Sequence, residues 1–419
     1  MAKLISTSLS PNTEPDDAVR ALGIIFSPWK WKKGSAVREL ENKFGEKFGF
    51  KNAYAFNSGR SCLMAILSAA RIGQGDEVIV QSFTCNAVIN PILSAGARPV
   101  FVDIGSDLNM DAEKLEEKIN EKTRAVIVQH TFGWPADAER IKAVCEKYKI
   151  LVIEDCAHAL GAKKNGKYCG SAGDAAFFSF GRDKVISSVY GGMLIINNPD
   201  LIPGVEAFYS KTGNPSGFWI FQQLFHPVIM EFLVLPLYNF LNLGKIFLAL
   251  AMNFNLLSKS VTPQENEGNL PDYFPAKMPN GLAILTLKQL QKLERFNRHR
   301  QELASFYMEK IKGANLGFPF GERENLGAIY MRFPVLVENP KEIFKKMREN
   351  GIYLNDGWCD SPIVPAQTSL LKMCYENGSC LFAEETVKHI ISLPTSIKVS
   401  AADAERIVYL LKSLIAVKI

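Results

Sequence analysis

Between Asn52 and Ile196 the chain alternates two rhythms. Short runs rich in β-branched and aromatic residues (DEVIVQS, RPVFVDI, RAVIVQH, ILVIEDC, AAFFSF, GGMLIIN) are separated by longer stretches of helical period such as DAEKLEEKIN. That alternation predicts an α/β fold with a mostly parallel central sheet and helices on both faces. From about Leu282 the pattern changes. A long helical run, LAILTLKQLQKLERFNRHRQELASFYMEKI, is followed by AIYMRFPVLV, KEIFKKMRENGI and AADAERIVYLLKSL, which predict a smaller α+β domain. The expected division is a large domain over 1–281 and a small one over 282–419.

One segment belongs to neither rhythm. Gly217 to Ser258 holds only Glu231 and Lys245 as charged residues, so it is too apolar for a surface loop. Its uncharged stretches run about a dozen residues between Pro227, Pro236 and Gly244, short of the roughly 20 a spanning helix needs. Two outcomes are open. Two or three short helices lie in a membrane interface with Trp219 and Tyr238 at headgroup level, or the segment is buried against the core or a partner subunit.

Composition narrows the class. The 419 residues carry 22% charged side chains and a formal net charge of +5, with no basic block, which argues against a nucleic-acid partner. The eight cysteines are scattered with no CxxC pair and no matched histidine spacing, so neither a metal site nor a disulfide framework is expected. MAKLISTSLSPNTEPDD lacks the continuous apolar core of a signal peptide. The expected location is cytoplasmic, at the inner face of a membrane if 217–258 lies in one.

Candidate chemistry sits where the β-runs end, the place ligands gather in open α/β sheets. NSGRS, holding Gly59, Arg60 and Ser61, opens an apolar helix whose N-terminal amides suit a phosphate; alone, it reads as an ordinary helix cap. Asp155 and His158 follow ILVIEDC at a spacing of three. Lys184, in FSFGRDKVISS, lies between a β-run and a Gly-Gly pair. A phosphate cradle, a carboxylate, an imidazole and a lysine at successive strand ends describe a site for a phosphorylated aldehyde cofactor.

The order and wording of these pieces resemble the DegT/StrS-type sugar aminotransferases, pyridoxal-phosphate (PLP) enzymes of the aspartate aminotransferase fold (fold type I). KKGSAVRELENKFGEKFG, GARPVFVDI, EDCAHALGA, FSFGRDK, YGGMLI and SLPTSIKVSAADAERI carry the likeness. By resemblance, Lys184 is the Schiff-base lysine, Asp155 the carboxylate facing the pyridine nitrogen, and His158 the residue beside the ring. Ser179, Gly59, Arg60 and Ser61 are then the phosphate contacts, Arg60 standing where threonine is usual. The chain departs from the family at Cys85, where a ring-stacking aromatic is expected, at Gly181 in place of histidine, and near Pro275, where a partner-subunit asparagine often reaches the phosphate.

The resemblance implies a homodimer and transfer of an amino group from glutamate or glutamine to a keto sugar, nucleotide-linked or lipid-linked. The sugar, the carbon aminated and the donor are not readable. Two other readings stay open. One is a membrane-associated PLP-binding regulatory or scaffold protein with a vestigial site. The other is a different PLP reaction on an amino acid, for which Cys359 is the best-placed reactive cysteine.

Overall fold

The computed structural model describes residues 4–312, 316–320 and 327–416. Its centre is a seven-stranded sheet: β1 (Ala53–Phe56), β2 (Glu77–Gln81), β3 (Arg98–Val102), β4 (Thr123–Gln129), β5 (Leu151–Asp155), β6 (Ala175–Ser179) and β7 (Gly192–Ile196), in the order β1-β7-β6-β5-β4-β2-β3. Every pairing is parallel except those of β7, which runs antiparallel to β1 and β6. β2 and β7 are buried along their whole length, as strands covered on both faces must be. The six β-runs singled out in the sequence are strands β2 to β7. β1 is a seventh, too short and too evenly mixed in burial to stand out as a run.

Helices cover the sheet. α1 (Pro15–Ile25) and α2 (Ala36–Phe48) precede β1, α3 (Gly59–Ala69) follows it, and α4 (Asn86–Ser94), α5 (Ala138–Lys147) and α6 (Ile202–Lys211) lie between or after later strands. DAEKLEEKIN makes only a four-residue α-turn, Ala112–Leu115, and a 3-10 turn.

The apolar segment folds as α7 (Gly217–Leu237) and α8 (Leu243–Asn253). The breaks expected at Pro227 and Pro236 do not occur. α7 runs through both prolines, with a π-helical stretch at Met230–Val234 that absorbs the misfit. Gly244 is a packing residue rather than a breaker: a Cβ there would come within 2.2 Å of the Val234 carbonyl oxygen, so only glycine lets α8 cross the end of α7 so closely.

α9 (Asn280–Ile311) is 32 residues long and contains the expected 281/282 boundary in its first turn. Its early residues Leu282, Ala283 and Leu285 are buried with the core around Phe178 and Phe180, and its late residues Leu303, Ala304 and Tyr307 with that around Phe333 and Ile391. Beyond it, Phe333–Leu336 pairs antiparallel with Ile390–Leu393, flanked by α10 (Pro340–Glu349), α11 (Leu381–His389) and α12 (Ala401–Ala416). The first described strand, Ile5–Ser6, joins this C-terminal region by pairing parallel with Ile352–Tyr353.

Candidate active site

β5 ends at Asp155 and β6 at Ser179, so neighbouring parallel strands deliver both residues to one edge of the sheet. The turn after β5 carries His158, and the turn between β6 and β7 carries Lys184. A cavity of about 590 Å³ opens there, lined by Gly59, Arg60, Cys85, Asp155, His158, Ser179 and Lys184, with Arg182, His226, Met230, Met252 and Trp358 among the further wall residues. Its size suits a cofactor with part of a substrate.

Lys184 is held from three sides. Its carbonyl accepts from the Asn12 amide, Asn12 Oδ1 accepts from Arg300 at 2.9 Å, and Arg300 also donates to the next carbonyl, that of Val185, at 2.5 Å. Asp183 is drawn the other way, onto Arg332 at 2.6 Å, and Arg332 also meets Asp356 at 3.2 Å. With its neighbours pinned, the lysine side chain points inward, passing Gly181, where a Cβ would sit 3.3 Å from Lys184 Cγ.

Lys184 Nζ lies 2.9 Å from His158 Nε2, and His158 Nδ1 accepts from the Phe132 N–H at 3.4 Å. An imidazole that accepts at Nδ1 carries its proton on Nε2, so the contact is complementary when the lysine offers a lone pair. Burial, then the charges of Lys184 and Arg332, hold the His158 pKa well below its ordinary value, which keeps the ring neutral. The ring is fixed by Phe132, stacked at 5.9 Å, and by Trp358, edge-on at 4.9 Å.

The adjacent carboxylates Glu154 and Asp155 face opposite ways. Glu154 is saturated, accepting from His130 Nε2 and from the amides of Gly170, Ala172 and Gly173 at 2.7–2.9 Å. Burial opposes its charge, but His130 and those amides hold its pKa below the ordinary range. His130, Glu154 and Cys156 are close enough to suggest a metal site. The ring of His130 is already spent, however, accepting from Ala136 at Nδ1 and bonded to Glu154 at Nε2, so the cluster is a structural hub. Asp155 takes one hydrogen bond among the described residues, from the Ala157 N–H at 2.9 Å, and burial pushes its pKa up. A buried carboxylate in that state fits a cationic partner in the cavity.

The start of α3 supplies donors. Ser58 caps the helix by accepting from the Ser61 amide at 3.1 Å, leaving the first-turn amides of Gly59 and Arg60 without intrahelical partners. Ser61 stands behind the cavity wall, its hydroxyl donating to Asn57 at 2.6 Å. Arg60 turns its guanidinium onto Glu265 at 2.7 Å and the Ser260 carbonyl at 3.3 Å. Cys85 occupies the N-cap position of α4 without a side-chain cap bond, and burial raises its thiol pKa.

Several wall residues were not singled out from the sequence. Arg182 donates to Ser258 at 2.6 Å and lies 5.8 Å from the Tyr190 ring, but its Nε is shut off from solvent with no hydrogen-bond partner among the described residues. His226 Nδ1 is orphaned in the same way. Trp358 brings to the cavity an aromatic ring that Cys85 does not. Cys359, one residue on, lies outside the wall. Burial, with Asp360 and Asp356, pushes its thiol up to about 12, the opposite of an activated nucleophile.

An open α/β sheet with a lysine amine and a carboxylate at neighbouring strand ends, beside unspent helix-terminal amides, defines a site for amine–carbonyl chemistry on a phosphorylated ligand. Residues 14–218 and 266–412 match the DegT/DnrJ/EryC1/StrS aminotransferase family, and the chain belongs to it. The interval passed over contains nearly all of the apolar segment.

Among curated relatives, the GDP-perosamine synthase of Vibrio cholerae is 40% identical over 179 residues, 42% of this chain and 48% of the relative. The chain thus matches about half the length of that protein. The dTDP-3-amino-3,6-dideoxy-alpha-D-galactopyranose transaminase of Aneurinibacillus thermoaerophilus is 30% identical over 92% of this chain and 91% of its own. In fold, the chain is similar to Helicobacter pylori PseC, an aminotransferase involved in pseudoaminic acid biosynthesis, with a TM-score of 0.75, 20% identity and coverage of 99% and 100%. It is likewise similar to Bacillus subtilis NtdA with bound cofactor PMP, with a TM-score of 0.74, 20% identity and coverage of 99% and 86%.

Proposed function

We propose that the protein is a PLP-dependent aminotransferase that transfers an amino group from glutamate or glutamine to the keto carbon of an activated sugar. The observation that carries this reading is the convergence of the Lys184–His158 pair and the under-bonded Asp155 carboxylate on one cavity. The same convergence argues against a vestigial site, and the raised thiol of Cys359 argues against a desulfurase-like reaction. Sugar substrates enter from the relatives, whose names place amino groups on nucleotide sugars.

The cavity fits the cofactor on three counts. The Gly59 and Arg60 amides and the Ser179 hydroxyl would face a phosphate, and Arg182 offers a charge with no ion pair among the described residues. The Asp155 carboxylate suits a protonated ring nitrogen. Lys184 stands beside both. When bound, the cofactor supplies a carbonyl carbon for the lysine amine and a ring that withdraws electrons from the amine carbon being deprotonated.

The chain's own residues do the rest. Lys184 Nζ would be the group that joins the cofactor carbonyl carbon and, when free, would take and return the proton of the amine-bearing carbon. His158, neutral and clamped by Phe132 and Trp358, lies 2.9 Å from Lys184 Nζ, positions that amine and fixes one wall of the ring site. Asp155, whose charge burial disfavours, would hold that charge against a protonated ring nitrogen placed opposite it.

The test is borohydride reduction of the purified holoprotein followed by peptide mapping. The expected result is a pyridoxyl adduct on Lys184 and its loss in Lys184→Ala with folding intact. An adduct on another lysine would falsify the assignment. Addition of L-glutamate or L-glutamine should shift the bound cofactor's absorbance to that of its amine form.

A further inference from the structure

The apolar segment has two faces with different destinations. Inward, Met230 from α7 and Leu248 and Met252 from α8 line the Lys184 cavity. Outward, Phe232, Leu241, Ile246, Leu250 and Phe254 stand exposed, Leu241 at 76% and Phe254 at 72%. Met252 belongs to both, lining the cavity while 42% exposed, so the cavity meets the apolar face at that residue. The two charges of the segment are neutralised or drawn aside, Glu231 by Lys398 and Lys245 over the Tyr238 ring at 5.4 Å.

The face continues onto the N-terminal part of the chain. Phe218 is stacked on Phe221 at 6.5 Å, and Phe221 lies 6.3 Å from Trp31. Beside Trp31 the turn after α1 exposes Phe26 at 73% and Trp29 at 70%, together with Lys30, Lys32 and Lys33, which have no ion pair among the described residues. Exposed aromatics rimmed by unpaired lysines are unlike the lysine-depleted centre of a protein–protein contact. They match the headgroup zone of an anionic bilayer, where aromatic rings bury their apolar bodies and each nearby lysine adds attraction.

α7 is long enough to span a bilayer, with 21 residues and a mean hydropathy of 1.4, yet half of its apolar window is buried against the protein. A helix so engaged lies along a membrane rather than through it.

We propose that α7, α8 and the 26–33 turn form a face that docks on an anionic lipid bilayer, and that the keto-sugar acceptor reaches Lys184 on a polyprenyl-type lipid carrier lying against Met252. The acceptor half rests on the aminotransferase reading; the docking half does not. What favours such a carrier is Met252, which joins the cavity to the exposed apolar face; the rest of the mouth, with Lys259 and Ser260, is polar.

The experiment is flotation of the holoprotein with phosphatidylcholine vesicles, with and without phosphatidylglycerol, followed by thiol labelling of a Met252→Cys variant with and without polyprenyl phosphate in the vesicles. The holoprotein is expected to float with the anionic vesicles. Phe232→Asp/Phe254→Asp and Lys30→Glu/Lys32→Glu/Lys33→Glu variants, with unchanged cofactor absorbance, should float at least tenfold less. Polyprenyl phosphate should protect position 252, a readout independent of turnover. Holoprotein that stays in the soluble fraction in the presence of the anionic vesicles overturns the docking. So does a dimer that becomes a monomer in the Phe232→Asp/Phe254→Asp variant while neither floats, since the face then joins two copies. Flotation with no protection at 252 overturns the carrier.

Discussion

Arg182 is the cation in the cavity with the most to gain from an anion. Its neighbours are the Ser258 hydroxyl, the Tyr190 and Tyr273 rings and the Asp183 carboxylate, which is paired with Arg332, and burial lowers its pKa. Binding a phosphate would recover the lost solvation, at about 1.5–3 kcal/mol for a charged hydrogen bond. Arg182→Leu is therefore expected to weaken PLP binding by roughly 10- to 100-fold, measured by fluorescence titration of apoprotein; an unchanged Kd removes Arg182 from the site. His226 makes a pH prediction. Burial, then Arg182, holds its pKa far below the ordinary value near 6.5, so the unfolded chain binds a proton that the folded one refuses. Its contribution to stability is complete above that value and falls as pH drops below it, by about 1.4 kcal/mol per unit. His226→Gln should flatten the pH dependence of urea unfolding between pH 6.5 and 5 by that amount, and a parallel profile would refute this. Asp155, His158 and Lys184 were legible in the sequence because each follows a β-run whose end can be located. Arg182 lies two positions before Lys184 yet was not singled out, since nothing in the sequence says that a loop arginine will have no ion-pair carboxylate among the described residues.

At the scale of elements, the turn that carries Lys184 has no regular structure of its own and borrows order from α9. Arg300 is 1% exposed, with no carboxylate partner among the described residues, and burial pushes its pKa down to about 9. It is retained where an apolar residue would avoid that cost, and its donors go to Asn12, Asn297 and the Val185 carbonyl. Arg300→Met should leave that carbonyl unsatisfied, at about 1–3 kcal/mol. The expected result is a lower urea midpoint and faster proteolytic nicking within 181–190, and nicking at the wild-type rate would count against the clamp. The sequence disclosed α9 by its helical period but not which of its polar residues would be buried, because that depends on a turn more than a hundred positions earlier. The same limit explains α7. Prolines predict a break when a helix stands alone, whereas here neighbouring helices hold the chain helical and a π-turn takes up the misfit.

For the whole molecule, the family resemblance implies a homodimer, and light scattering of the holoprotein is expected to give twice the chain mass; an active monomer would contradict it. The sequence conveyed the large sheet almost completely, since parallel strands and their covering helices are local patterns. It conveyed nothing of how the chain's two ends meet. Ile5 pairs beside Ile352, Thr7 Oγ1 donates to the Leu354 carbonyl 347 residues away, and Asn12 holds the Lys184 carbonyl. During synthesis the first strand therefore waits for its partner, about 17–70 s at 5–20 residues per second. Trp358, which packs on His158, emerges at the same late stage. A polypeptide stalled on the ribosome before residue 350 would hold the seven sheet strands, Lys184 and Arg300, and still lack the Ile352–Tyr353 partner of the first strand and the Trp358 ring wall. A product truncated there is left without the ring wall of the reactive site.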